Sequence, residues 1–222
     1  MEKNEHSPFK LDLLQKYLAG SRVLDLGAGR LKYSYWMKKH FPEMQITAVD
    51  LFEQVPEHGV EYVIANLEQE LPFSHELFSS VVAFDLIEHI FNEELFVAEI
   101  FRVLQNGGIL IGSVPHDEDL FLPEYNLTFY HRSDVTHKRY YTKKTLHDCL
   151  RAAGFTGIVV WPEGGVSPHV FAEFFPRSLR WIIKKIISFL RLIGLISVDR
   201  LKSDLFFIAV KKVEKEYEGA SV

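Results

Sequence analysis

The sequence predicts an α/β fold in which a mostly parallel sheet carries helices on both faces. Two observations carry this expectation. Short β-branched runs alternate with segments of helical period along most of the 222 residues, which is the rhythm of strand–helix–strand units. One of those runs, Arg22–Leu26, passes directly into a glycine turn and then a helical pattern, the junction at which open α/β sheets bind ligands.

Each element follows from local pattern. Apolar residues at positions 11, 14 and 18 space a first helix over residues 9–18. Arg22–Leu26 reads as a buried strand broken by Gly27 and Gly29, and a helix through Tyr33, Trp36 and Met37 runs until Pro42. Residues 45–50, 60–65 and 80–84 supply three further strands. Residues 93–104 form an amphipathic helix, which Gly107 and Gly108 are predicted to stop ahead of a strand over 109–114. A loop over 115–141 follows. Thr142 then caps a helix that Gly154 ends, and strands over 156–161 and 205–213 complete the order.

Composition narrows the class. Hydrophobic residues make up 47% and charged residues 25% of the chain, the balance of a soluble globular domain. A net charge of -5 argues against a nucleic-acid partner, which leaves a basic footprint on the domain that binds it. The single cysteine, Cys149, rules out an internal disulfide. The histidines do not fall in ligand pairs such as H-x-x-x-H on one helix face, so no metal is expected. The first ten residues lack the apolar core of a secretory signal, and the expected compartment is the cytoplasm.

The stretch Val23, Leu24, Asp25, Leu26, Gly27, Ala28, Gly29 is the most informative in the chain. Its glycines allow a sharp turn that brings main-chain N–H groups close to a ligand with no Cβ in the way. A dinucleotide-binding turn would carry a third glycine where this chain has Lys32, which makes a nucleotide-dependent oxidoreductase the weaker alternative. Asp50 ends the next strand, where a carboxylate can accept two hydrogen bonds from a ribose diol. The pattern fits a ribose without a pyrophosphate.

In their order these motifs resemble those of the class I methyltransferases that use S-adenosylmethionine, especially the small-molecule branch related to the quinone-biosynthesis enzymes, over residues 22–155. The resemblance implies a Rossmann-like fold with an antiparallel C-terminal strand, S-adenosylmethionine as cofactor and methyl transfer as the activity. The family's first motif, an acid followed by G-x-G, matches Asp25, Gly27, Ala28 and Gly29, and its ribose-binding acid matches Asp50, with Leu51 beside the adenine. Its adenine-edge segment matches Asn66 and Leu67 ahead of Leu71, Pro72 and Phe73; its fourth strand leads through Phe84 and Asp85 to Glu88 and His89. The phrase running from Phe101 to Gly108 resembles the helix-to-strand junction beyond the active site.

Two positions depart from the family. Asn66 stands where an acid is usual, and its side-chain oxygen can still accept from the adenine amine. Leu31 stands where a third glycine is common, so either the backbone shifts or Leu31 turns outward. A non-catalytic S-adenosylmethionine-binding protein is the alternative that Leu31 leaves. Glu88 and His89 are read as a structural hydrogen-bonded pair beneath the cleft, and Phe84 as a packing residue.

Methyl transfer from a sulfonium is an in-line displacement with a good leaving group, so alignment in a dry cleft is the main requirement, worth roughly 7–11 kcal/mol. A hydroxyl acceptor, favoured here over nitrogen or carbon, must also lose a proton, and histidine suits that task at neutral pH. The loop over 115–141 follows the fifth strand and contains His116, His131 and His137. His116 and His137 are the candidate bases.

The expected plan is a methyltransferase core over 1–168, a helical amphipathic insertion over 169–203, a final core strand over 204–213 and a solvated tail over 214–222. Within the insertion, 177–198 places Arg177, Arg180, Lys184, Lys185 and Arg191 on one arc and sets Ile182, Ile183, Ile186, Phe189, Leu190 and Ile193 largely on the other. Lys184, Lys185 and Arg191 lie inside the apolar run, and at roughly 2.5–3.5 kcal/mol per charge at a bilayer centre they argue against a transmembrane span. The two readings of the element are contact with the surface of a membrane, at its inner face, and a lid or dimer surface. The acceptor is accordingly a small molecule or a lipid-linked one, and the oligomeric state stays open.

Overall fold

The computed structural model describes residues 7–117, 134–163, 172, 175–195 and 204–212. His131 and the tail over 214–222 lie outside the described residues, as do parts of the insertion. Along the chain the elements are α1 (Pro8–Tyr17), β1 (Arg22–Leu26), α2 (Lys32–His40), β2 (Gln45–Asp50), β3 (Glu61–Ile64) and β4 (Phe78–Phe84). A 3₁₀ turn (Ile87–His89), α3 (Glu93–Val103), β5 (Leu104–Pro115), α4 (Lys143–Ala152), β6 (Thr156–Glu163), α5 (Arg177–Leu192) and β7 (Asp204–Val210) follow.

The seven strands form one sheet in the order β3-β2-β1-β4-β5-β7-β6. Neighbours among β1 to β5 pair in parallel, while β7 runs antiparallel to β5 and β6 on either side. From β1 the chain moves to β2 and β3 on one side and returns to β4 on the other. The carboxyl ends of β1 and β4 therefore flank the crevice where the strand order reverses, the position at which such sheets take ligands.

Strand alternation divides the core in two. Leu24, Leu26, Val81, Ala83, Leu110 and Phe207 pack with residues of α3 and α4 on one face. Val23, Val82, Phe84, Ile111 and Phe206 pack with Leu13, Leu14 and Met37 of α1 and α2 on the other. Local chemistry sets the helix starts. Pro8 occupies the first turn of α1, where its missing N–H costs nothing. Asn92 accepts the Leu95 N–H at 3.2 Å at the start of α3, with Glu93 and Glu94 in the first turn complementing the helix dipole. Thr142 and Thr145 satisfy each other's backbone N–H groups in a reciprocal capping box at α4.

Gly107 and Gly108 do not act as the predicted helix stop. α3 ends at Val103, and both glycines lie within β5, where the register against β4 shifts between Phe78 and Ser80. Gly107 adopts φ 83° and donates its N–H to the Lys211 carbonyl at 2.7 Å. A Cβ on Gly108 would lie 2.8 Å from the Gln105 carbonyl oxygen. The glycines let the strand bulge without a clash.

α2 begins without a side-chain cap, at a Leu31 held in the left-handed region (φ 60°, ψ 20°). Its side chain is 2% exposed and packs in the α1/α2 core, so of the two alternatives the sequence leaves open the outward turn does not occur: Leu31 turns in, on a backbone held left-handed. Burying a leucine contributes about 1.5–3 kcal/mol, which offsets the roughly 1–2 kcal/mol cost of a left-handed L-residue. Leu31→Ala removes the burial and keeps the strain, and should lower the unfolding free energy by about 2–5 kcal/mol. Leu31→Gly removes both and should be the more stable of the two variants by about 1 kcal/mol, the reverse of the usual alanine-over-glycine order. Urea melts decide it; an alanine variant more stable than the glycine variant would overturn the strain argument.

Candidate active site

The crevice is built on the turn that leaves β1. The N–H groups of Gly27 and Ala28 donate to the Val49 carbonyl at 2.9 and 3.1 Å, fastening the turn to the last residues of β2. Gly29 N–H donates to Asp50 Oδ2 at 2.8 Å, and Leu51 N–H to Oδ1 at 2.7 Å. Oδ1 also accepts the Phe52 N–H at 3.4 Å, so the Asp50 carboxylate bridges the turn and its own following backbone, and Oδ2, with one donor, keeps a lone pair for a ligand. Gly29, at φ 51°, has nothing within 4 Å of the place a Cβ would occupy, so its backbone is open on that side. Leu51 beside it is exposed.

Asp25 is buried on the α2 face of β1 and accepts a hydrogen bond from Ser34 Oγ at 2.5 Å. Burial pushes its carboxyl up to about 7, the Ser34 hydroxyl opposes that rise, and the nearby Asp50 carboxylate adds to it. Asp25 therefore joins strand to helix beneath the turn while still lining the cleft.

A cleft of about 340 Å³ opens over these groups, lined among others by Lys10, Arg30, Tyr33, Phe84 and Asp85. Phe84 packs edge-on against Tyr33 at 5.0 Å between ring centres. Asp85 is held in a left-handed conformation (φ 48°), accepting from Ser113 Oγ at 2.6 Å and from the ammonium of Lys10. Lys10, which sequence pattern does not single out, reaches in from α1 and stands 5.4 Å over the Phe84 ring. Burial lowers the pKa of its ammonium, but the Asp85 carboxylate beside it raises it further, and the net direction is upward. No periodicity could reveal this pairing, because the two residues come from distant parts of the chain.

The segment opposite the crevice is clamped by α3. Arg102 donates to the carbonyls of Phe73 and Leu71 at 2.8 and 3.0 Å, and Glu99 accepts the Leu71 N–H at 2.8 Å. Asn66 is exposed, with Oδ1 accepting the Glu68 N–H at 3.0 Å, whereas Leu67 is buried in the α3/α4 core. The structure thus leaves Asn66 open to a ligand and turns Leu67 away.

Beyond β4 the sequence reading needs correction. Glu88 is fully buried, and neither carboxylate oxygen has a hydrogen-bond partner. His89 bonds through Nδ1 to Thr136 Oγ1 at 2.9 Å, so the two residues are not the expected hydrogen-bonded pair. Both lie on the 3₁₀ turn, and the segment from residue 134 folds over it, with Lys138 N–H donating to the Glu88 main-chain carbonyl at 2.7 Å. Burial first, and Asp85 second, push Glu88 up to about 8. The rings of His89 and His137 lie 4.6 Å apart. One ligand atom from each of Glu88, His89 and His137 lies within 4.8 Å of the others, a gathering of metal-type ligands that sequence spacing conceals. His116 instead sits at the end of β5, bridged to Tyr141.

A glycine turn fastened to a strand-terminal carboxylate, at the switch point of a sheet whose last strand is reversed, defines the class I Rossmann-like methyltransferase fold. The chain belongs to the methyltransferase domain family, whose model matches residues 3–160. The rat mitochondrial ubiquinone biosynthesis O-methyltransferase is 36% identical over 59 residues, which is 27% of this chain and 17% of that protein. The malonyl-[acyl-carrier protein] O-methyltransferase of Geobacter sulfurreducens is 26% identical over 176 residues, 73% of this chain and 66% of that one. The chain thus spans less than two thirds of the length of either relative. Among solved structures, a SAM-dependent methyltransferase from Archaeoglobus fulgidus matches with a TM-score of 0.64 at 20% identity, covering 91% of this chain and 93% of that chain. The phosphoethanolamine N-methyltransferase 2 of Haemonchus contortus, in complex with S-adenosyl-L-methionine, matches at 0.61 and 21% identity, over 92% of this chain and 52% of that one. At these identities the likeness shows the fold, and S-adenosylmethionine is the cofactor of the family.

The buried carboxyls set a pH dependence. Between about 4 and about 7 folded Asp25 holds a proton that the unfolded chain has released, so its contribution to stability falls as pH rises through that window and is level above it. Its share is on the order of 4 kcal/mol at about 1.4 kcal/mol per pKa unit, and Glu88 acts in the same direction. Asp25→Asn should flatten the slope without abolishing it, as measured by denaturant melts across the window; an unchanged slope would remove Asp25 as a source.

Proposed function

We propose that this protein transfers the methyl group of S-adenosylmethionine to a hydroxyl of a small-molecule acceptor, free or lipid-linked, in the cytoplasm or at the inner face of a membrane. The observation that carries the proposal is Asp50 holding the open glycine turn at the switch point. The residues present fit the cofactor. Asp50 offers the free lone pair of Oδ2 to the ribose diol, Leu51 an apolar surface to the adenine and Asn66 an acceptor to its amine. Lys10 and Arg30 lie where a carboxylate could be met, with Asp25 and Asp85 for an ammonium. Gly27, Ala28 and Gly29 supply the backbone approach, and Phe84 with Tyr33 an apolar wall that excludes water. The core over 1–168 and the strand over 204–213 form the catalytic unit in this reading, with 169–203 as an appended element.

In the reaction the sulfur–methyl bond breaks as the carbon–oxygen bond forms, and the hydroxyl proton leaves to a base. His137 is the better placed of the two candidates, buried beside His89 and held near Asp134 at 3.7 Å; His116 is the other, at the mouth of β5. A second reading rests on the partnerless oxygens of Glu88. With His89 and His137 they form a two-nitrogen, one-oxygen donor set suited to a divalent cation, which would ease deprotonation of a hydroxyl bound to it.

S-adenosylhomocysteine at 100 times its dissociation constant should stabilise the protein by about 2.7 kcal/mol in a thermal shift, and NAD should not. Asp50→Ala should weaken that binding by about 10- to 150-fold, the loss of hydrogen bonds to a charged group. No shift with either sulfur cofactor would overturn the cofactor assignment. His137→Asn should lower turnover of labelled methyl donor in cell extract by about 10²- to 10⁴-fold while leaving cofactor affinity unchanged. Elemental analysis separates the two readings: a stoichiometric divalent cation lost in Glu88→Gln supports the cation, and metal-free protein with chelator-resistant turnover supports the base.

A further inference from the structure

Among the described residues, α5 carries an apolar face that is left exposed. Ile187 is buried, with Ile183 and Leu190 half-buried beside it, so one edge of the helix packs on protein. The adjoining surface points to solvent: Ile182, Ile186 and Phe189 fall on one line, Ile193 continues it past the helix end, and Trp181 and Leu192 flank it. Phe189 is 58% exposed, Trp181 69% and Leu192 83%, which is far more than isolated surface apolars require.

Charge identifies what this face meets. The helix RSLRWIIKKIISFLRL contains five cations and no acid, leaving 20 basic against 30 acidic residues in the rest of the chain. The helix is thus strongly cationic within an acidic chain. Arg177 and Lys185 are exposed, and the Lys185 ammonium lies 5.8 Å over the Trp181 ring, an aromatic–cation pair at the rim of the apolar face. Among the described residues no helix is long and apolar enough to cross a membrane. An anionic lipid surface satisfies both properties, receiving the apolar residues below its headgroups and the cations among them.

We propose that α5 is an interfacial anchor that lies flat on anionic lipid, with Ile182, Ile186 and Phe189 inserted and Trp181 and Lys185 at the headgroup level. This deepens the lipid-linked acceptor reading above by naming the surface at which the acceptor is met, yet it is tested without methyl transfer.

The experiment is co-sedimentation of the full chain with vesicles of phosphatidylcholine alone and of phosphatidylcholine with phosphatidylglycerol. The chain should bind the anionic vesicles at least about tenfold more strongly than the neutral ones. Ile182→Asp with Phe189→Asp, and separately Arg177→Glu with Lys185→Glu, should each lower that binding at least about tenfold. All four positions are exposed, and an unchanged melting temperature and S-adenosylhomocysteine affinity show that the variants fold. Absence of binding to anionic vesicles, or variants that bind as the parent does, overturns the proposal. So does a dimer in vesicle-free solution that the apolar variants dissociate, which would assign the face to a second copy. Failure of the methyl-transfer reading would instead show as absent S-adenosylhomocysteine binding by the parent chain, which is read separately from vesicle binding and leaves the melting temperature as the control for folding.

Discussion

The cleft depends on one constraint: the turn after β1 is held down on the end of β2. Three main-chain N–H groups, those of Gly27, Ala28 and Gly29, donate in succession to Val49 and Asp50. Without these bonds the turn would have no fixed relation to the strand that carries the proposed ribose acceptor. Residues with a Cβ would need the same positive φ at 27 and 29 at a steric cost, and at 27 a Cβ would also meet Leu86 at 2.8 Å. The same constraint fixes where α2 begins, and so explains why Leu31 is placed left-handed and turned into the core.

Beneath the turn lies a cluster of titratable groups. Asp25, Asp85 and Glu88 crowd the ends of β1 and β4, and Lys10 is the buried cation that meets one of them directly. Asp25 and Glu88 are pushed up by burial, whereas Asp85 keeps its ion pair and a hydroxyl donor.

Much of the scaffold was legible because its signals are local. The bounds of β1 and β2 follow from β-branched runs that end in glycine or aspartate, and Thr142 announces α4 by its own side chain. The errors have a common physical origin in partners that lie far away in sequence. Gly107 and Gly108 look like a helix stop until the register of β5 against β4 is known. Leu31 looks bulky for a cofactor turn until the α1/α2 core receives it. Lys10 carries no motif, and Glu88, His89 and His137 meet only because the segment after residue 134 folds back on the 3₁₀ turn. The cofactor half of the site is a strand-end feature and is written in short phrases; the acceptor half is assembled by loops and is not.

The reversed strand β7 carries a consequence for how the chain acquires its structure. It pairs on both sides, with residues of β5 about a hundred positions earlier and with β6, so the sheet closes only through contacts of long sequence separation. Phe207 seats its ring against Gly112, where a Cβ would lie 2.3 Å away, so the fit admits no larger neighbour. Until β7 arrives, β5 and β6 present open edges able to recruit foreign strands. The cationic amphipathic helix is made before β7 and after β6, and its exposed apolar face coexists with those edges in the newly made chain.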